Sequence, residues 1–177
     1  MKALKELFDS PIEFSEFFED SDFIYSLFKI KDKEYIVAFY DGGISKFKYA
    51  QDMFNVNFNN SKVTHPFAFA FGLLNKDSTN PLMDIISGRI RDNTTNTGDV
   101  FLVFSTVGHI VIKFLKKYKP DAIYYAPKEE NRYKIYKALT IRLKTFFDNY
   151  IVWENNNFYI VYKSELKENY NVTLKVI

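Results

Sequence analysis

Thr94, Thr95 and Thr97 lead through Gly98 and Asp99 into a stretch of helical periodicity, so three hydroxyls sit just before a helix start. Backbone N–H groups are unpaired at that end of a helix and attract anions, which makes the run a candidate anion cradle. Little else has the spacing of a reactive site. His65 precedes Pro66 in a loop and His109 lies on the polar edge of a helix. Neither has a partner at metal-ligand spacing, which argues against a His-based metal site. The absence of cysteine excludes a disulfide scaffold, a thiol nucleophile and a Cys-ligated zinc. There is no Gly-x-Ser-x-Gly, Walker loop or His-Glu-x-x-His.

Charge is the next feature able to select a partner. Net charge is only +2, but it is unevenly placed. Residues 1–22 set Glu6, Asp9, Glu13, Glu16, Glu19, Asp20 and Asp22 against two lysines, a net of −5. Residues 113–144 carry ten Lys and Arg against Asp121, Glu129 and Glu130, a net of +7. A basic face can bind nucleic acid, phosphate or an acidic partner, yet charge runs more often solvate a helix. Lysine dominates here, whereas bidentate recognition of phosphates and bases prefers arginine, which weighs against nucleic acid. The acidic stretch could dock on the basic one.

The elements that would position these groups follow from pattern. The chain has 177 residues and is 47% hydrophobic, enough for a real core. Aromatics reach 19%, with 19 Phe and 13 Tyr, a bias toward strands and bulky packing. Ser10-Pro11-Ile12-Glu13 has the form of a helix start, and Ile12, Phe14, Phe17 and Phe18 continue it as an amphipathic helix to Asp20. This defines an N-terminal helical segment over 1–22, followed by an α+β domain over 23–177. Phe23–Ile30 and Glu34–Tyr40 read as strands about a turn at Lys31-Asp32-Lys33, and Asp41-Gly42-Gly43 as a hairpin turn into Ile44–Tyr49. Phe54–Phe58 alternates as a further short strand. Phe67-Ala68-Phe69-Ala70-Phe71 alternates large and small, one face bulky and the other open to close approach. Residues 75–98 form the least regular part, with an apolar patch from Leu82 to Ile86 that suits either a functional loop or one short helix.

Val100, Val103, Val107, Ile110, Val111, Phe114 and Tyr118 recur at helical steps, predicting a helix near 99–118 that stops at Pro120; the β-rich run Val100–Phe104 leaves a strand followed by a helix from Ser105 as the alternative. Asp121–Tyr125 is a short strand, and a second helix is expected near 128–144. Tyr150–Trp153 and Phe158–Lys163 make a hairpin, and Val172–Val176 adds a last strand. The expected fold is α+β, with a mixed, largely antiparallel central sheet and flanking helices.

The second half, helix, strand, helix and hairpin, resembles the GNAT (GCN5-related N-acetyltransferase) fold. The resemblance rests on Thr97-Gly98-Asp99 at a helix start, on the strand Asp121–Tyr125, and on the stretch Glu130–Leu139. Thr97–Val107, with Pro120-Asp121 and Asn131-Arg132, is also similar to small GNAT-like proteins of bacteriophage genomes. The family resemblance implies an acetyl-CoA site with the pyrophosphate at Thr94, Thr95, Thr97 and Gly98. It also implies Tyr136 as the acid that protonates the departing thiolate, with Tyr124 or Glu130 as base. A tyrosine of pKa about 10 donates to a thiolate of pKa about 8.5 only when held close. The family carries Arg/Gln-x-x-Gly-x-Gly/Ala ahead of the pyrophosphate helix, whereas this chain has one glycine, Gly98, in the run from Arg89.

Threonine Cβ atoms there crowd the backbone where glycines admit phosphate. The sequence therefore predicts a phage-type GNAT-like protein that has lost acyl transfer, takes no cofactor and acts through protein contacts. Its partners would be other virion proteins or a host factor, with no membrane and no metal. The acidic helix with Phe14, Phe17 and Phe18 is one docking element. The start, Met1-Lys2-Ala3-Leu4-Lys5-Glu6, has no secretory core, so the expected location is the host cytoplasm or the virion. An acyl-CoA-dependent N-acetyltransferase is the alternative.

Overall fold

The computed structural model describes residues 12–20, 23–41, 66–87, 99–125, 136–141, 143, 146, 150–155 and 158–163. The chain is α+β with a mixed sheet. Among the described residues the strands are β1 (Phe18–Asp20), β2 (Phe23–Ile30), β3 (Lys33–Asp41), β4 (Pro66–Leu73), β5 (Ala122–Tyr125), β6 (Tyr150–Asn155) and β7 (Phe158–Lys163). The helices are α1 (Pro81–Ser87) and α2 (Val100–Tyr118), and residues 136–141 are also helical. Two compact units are distinguished. One holds Met1–Phe39 with Ala70–Phe114, the other Tyr40–Phe69 with Leu115–Ile177.

In the first unit the strands neighbour in the order β1-β2-β3-β4. Two residues, Lys31 and Asp32, turn β2 into β3, and Lys31 takes a positive φ of 56° that a tight turn demands. β3 is buried from Tyr35 through Tyr40, as a strand covered on both faces must be. The large–small alternation of β4 is used on both of its faces. Phe71 meets Phe104 of α2 edge-on at 5.2 Å. On the opposite face Gly72 faces Ile85 of α1, where an added Cβ would lie 3.5 Å from the isoleucine side chain. The stretch after β4 is thus a turn and a short helix. Asn80 caps α1 through its Oδ1, which accepts the Met83 N–H at 3.1 Å, and Pro81 fills the first helical position.

The expected helix over residues 11–20 is not formed where the chain is described. Phe14 bridges Phe28, and Phe18, Glu19 and Asp20 pair antiparallel with Tyr25, Ile24 and Phe23. Between these two registers the 14–18 stretch uses four steps where β2 uses three, so one extra residue is inserted as a β-bulge. The bulge mimics helical spacing: Phe14, Phe17 and Phe18 fall at i, i+3 and i+4 in a segment that is not helical and leads into β1. Ser15 fixes it. Its N–H donates to Leu27 O at 2.8 Å and its hydroxyl accepts the Leu27 N–H at 2.9 Å.

In the second unit the order is β4-β5-β7-β6. β4 and β5 are parallel, with Pro66, Phe67 and Ala68 opposite Ala122, Ile123 and Tyr124. β7 pairs antiparallel with both β5 and β6. α2 ends at Tyr118, and Lys119 after it forms a left-handed cap, with a positive φ of 49° and an N–H bond to Leu115 O at 3.1 Å. Pro120 follows and prevents continuation, and its carbonyl accepts the Tyr150 hydroxyl at 2.8 Å.

The turn at Gly42-Gly43 and the strands expected over 44–49, 54–58 and 172–176 lie outside the described residues, as does most of the 128–144 helix.

Candidate functional site

Three places bear on function. The first is the N-terminal end of α2. The Asp99 carbonyl accepts the Val103 N–H at 3.0 Å, which makes Asp99 the residue that opens the helix. Its carboxylate meets the Lys31 ammonium at 2.8 and 3.1 Å. The hydrogen bond that Lys31 donates to Asp99, then the Asp99 charge, raises the Lys31 pKa above 10.5. Carboxylate and ammonium thus stand together at the end of α2 that the sequence assigned to an anion. Thr94, Thr95, Thr97 and Gly98 lie outside the described residues.

The second place surrounds Tyr136. Its ring lies 5.7 Å from that of Tyr125, and both side chains are buried. Thr140 joins them. Its hydroxyl donates to the Tyr136 carbonyl at 2.7 Å, which leaves its oxygen to accept the Tyr125 hydroxyl. The Tyr125 proton is therefore committed to Thr140. On its other side Tyr125 packs against Phe69, centroids 4.7 Å apart. Tyr136 and Thr140 are one helical turn apart, so one turn presents both groups to the strand. The sequence named Tyr136 but missed Tyr125 and Thr140, whose only signal was the i, i+4 spacing of Tyr136 and Thr140. The Tyr124 side chain and all of Glu130 are outside the described residues.

The third place is an open groove of about 390 Å³. It is lined by Glu13, Phe14 and Ser15 of the bulged segment and by Leu27, Phe28, Lys29, Glu34 and Leu74. The Glu34 carboxylate is held 2.9 Å from Lys76, and that hydrogen bond pulls its pKa below 4.5. Nothing in the sequence marked this groove, because it depends on the bulged strand that the sequence presented as a helix.

The acidic segment meets the basic helix, as one of the two sequence readings had it. Glu16 pairs with Lys113 at 2.8 Å, and the same ammonium lies 5.3 Å above the Phe14 ring. Phe17 is buried edge-on to Phe39 and Phe114 at 6.1 and 6.0 Å. A segment expected to be free for a partner is instead extended and packed on its own unit.

Among the described residues no helix is long and apolar enough to cross a membrane, and no group of three or more His, Asp and Glu is placed to hold a metal. Comparison with protein-family models, with curated proteins and with solved structures returned no match.

Proposed function

We propose that the chain is a phage-type GNAT-like protein that acts through protein contacts, as a virion-associated, packaged or host-factor-binding protein, and no longer transfers acyl groups. The GNAT-like reading is supported by chain order. A parallel β4–β5 pair brackets α2, and β7 then inserts antiparallel beside β5. The phage setting rests on the sequence resemblance alone.

The observation that carries the loss of catalysis is the Asp99–Lys31 pair. An acyl-CoA pyrophosphate needs backbone N–H groups and positive potential at the start of α2. Here the residue just before Val100, Asp99, carries a carboxylate, and its ammonium partner Lys31 already donates two hydrogen bonds to it, at 2.8 and 3.1 Å. Like charges 4 Å apart repel by about 1 kcal/mol in water and about 4 kcal/mol near a protein surface. The burial of Tyr136 against Tyr125 points the same way, since an acid for a thiolate must reach the sulfur. Contact points are available in Phe101 of α2 and Ile141, which expose 47% and 49% of their surface.

The test is calorimetric titration with acetyl-CoA, together with mass spectrometry of purified particles. The expected result is no saturable heat and a fixed copy number in the particle. Micromolar acetyl-CoA binding, abolished by Gly98→Pro and accompanied by turnover lost in Tyr136→Phe, would overturn it in favour of an N-acetyltransferase.

A further inference from the structure

The groove beside the bulged strand combines features that no part of the proposed function uses. Its apolar surface comes from Phe14, Leu27, Phe28 and Leu74, brought together from the bulged segment, β2 and the residue after β4. Its charged groups are Glu13, Lys29 and Glu34. Glu34 is already neutralised by Lys76 at 2.9 Å. Glu13 and Lys29 are exposed, opposite in sign, carried on different segments of the chain, and in no ion pair with each other. The volume of about 390 Å³ falls in the range of small-molecule sites, about 300–1,000 Å³.

The walls are fixed in advance. Ser15 bonds Leu27 through backbone and side chain, Ser26 donates to Ser15 O at 2.9 Å, and Leu74 N–H donates to Glu34 O at 2.7 Å. A ligand entering this groove orders little new chain, which favours affinity.

We propose that this groove binds an apolar zwitterion of amino-acid size, its ammonium toward Glu13, its carboxylate toward Lys29 and its side chain on Phe14, Phe28 and Leu74. A purely anionic ligand would meet Glu13, and a purely cationic one would meet Lys29. A neutral apolar ligand would strip water from two charged groups without replacing it. A ligand with both charges offsets both.

The probe is L-phenylalanine, titrated into the full chain and followed by amide chemical shifts. Expected are saturable shifts centred on Phe14, Phe28 and Leu74. Binding should weaken about tenfold in Glu13→Gln and in Lys29→Met, the size of one lost charged contact of about 1.4 kcal/mol. N-acetyl-phenylalanine amide, which keeps the ring and loses both charges, should bind at least as weakly as the variants do with phenylalanine. Both substitutions are at exposed positions, and an unchanged spectrum away from the groove shows that the fold is kept. Non-saturating shifts, shifts centred elsewhere, or equal binding of the neutral analogue each overturn the proposal. Acetyl-CoA binding has no bearing on these outcomes, so this proposal and the functional one fail separately.

Discussion

The backbone N–H of Ile12 donates to the hydroxyl of Thr106, 3.1 Å away, tying the chain ahead of β1 to the second turn of α2 across 94 residues of sequence. Thr106 passes its own proton to Leu102 O at 2.8 Å, so one hydroxyl serves both as acceptor and as donor. Its neighbour Ser105 is equally buried, yet the Ser105 hydroxyl has no partner among the described residues.

Two adjacent buried hydroxyls should therefore respond oppositely to removal. Thr106→Val keeps the shape and strands the Ile12 N–H, at a cost of about 1–3 kcal/mol. Thr106→Ser should restore most of that. Ser105→Ala removes a polar atom that was desolvated without compensation and should leave stability unchanged or raise it by up to about 1 kcal/mol. Urea denaturation of the three variants at constant m-value checks this, and equal losses at both positions would contradict it.

Phe17 is the anchor of the bulged segment, buried on the stacked pair of Phe39 and Phe114, whose centroids are 3.7 Å apart. Phe17→Ala should cost about 3–5 kcal/mol, as truncation of a buried aromatic does. Lys113→Met should cost far less. Glu16, its ion-pair partner, exposes 83% of its side chain, and exposed pairs contribute about 0–1 kcal/mol. Thermal melts of both variants should rank them in that order. The opposite order would mean that charge, and not the aromatic plug, holds the segment.

How much of this was legible in advance depended on which period dominated the local pattern. α2 was visible because one stripe from Val103 to Phe114 stays apolar for three turns and Pro120 ends it, and the observed helix is Val100–Tyr118. β2, β5, β6 and β7 were visible because strands dense in Ile, Val, Phe and Tyr admit no other reading at those lengths. The extended stretch from Phe14 into β1 was hidden by its bulge. One inserted residue converts a period of two into the i, i+3, i+4 spacing of a helix, and Ser10-Pro11 ahead of it supplied a false start signal. The groove was invisible for the same reason, since Glu13 and Lys29 share it only once the segment is laid antiparallel to β2. Tyr136 could be named as a tyrosine on a helix, but its burial depends on Tyr125, which pairing with Phe69 and the helical turn at Thr140 decides.

The Tyr125–Thr140 contact supplies a third test. Thr140→Val removes the oxygen that accepts the Tyr125 proton, in a site where both side chains are at most 2% exposed. The expected loss is about 1–3 kcal/mol, with Thr140→Ser near wild type. A large effect of Tyr136→Phe on acetyl-CoA turnover, with stability preserved, would be evidence for the catalytic reading.

Glu34 and Lys76 carry a pH dependence whose sign can be worked out. The hydrogen bond from Lys76 comes first, and the charges of Lys76 and Lys29 add to it against desolvation, so the folded-state pKa of Glu34 lies below the ordinary 4.5. A depressed carboxyl pKa contributes stability that is present above the unfolded value and lost as pH falls through the folded one. The contribution is therefore whole at neutral pH and disappears only in acid, below 4.5. Lys76→Ala removes the largest cause, so the Glu34 titration midpoint should move up toward 4.5 in side-chain carboxyl NMR. Lys29→Met should move it in the same direction by a smaller amount, because Lys29 acts through charge alone. A midpoint that stays put in Lys76→Ala would show that the 2.9 Å pair is not formed in solution. If the midpoint moves more in Lys29→Met than in Lys76→Ala, Lys29 is Glu34's partner and is not left for a ligand carboxylate in the groove.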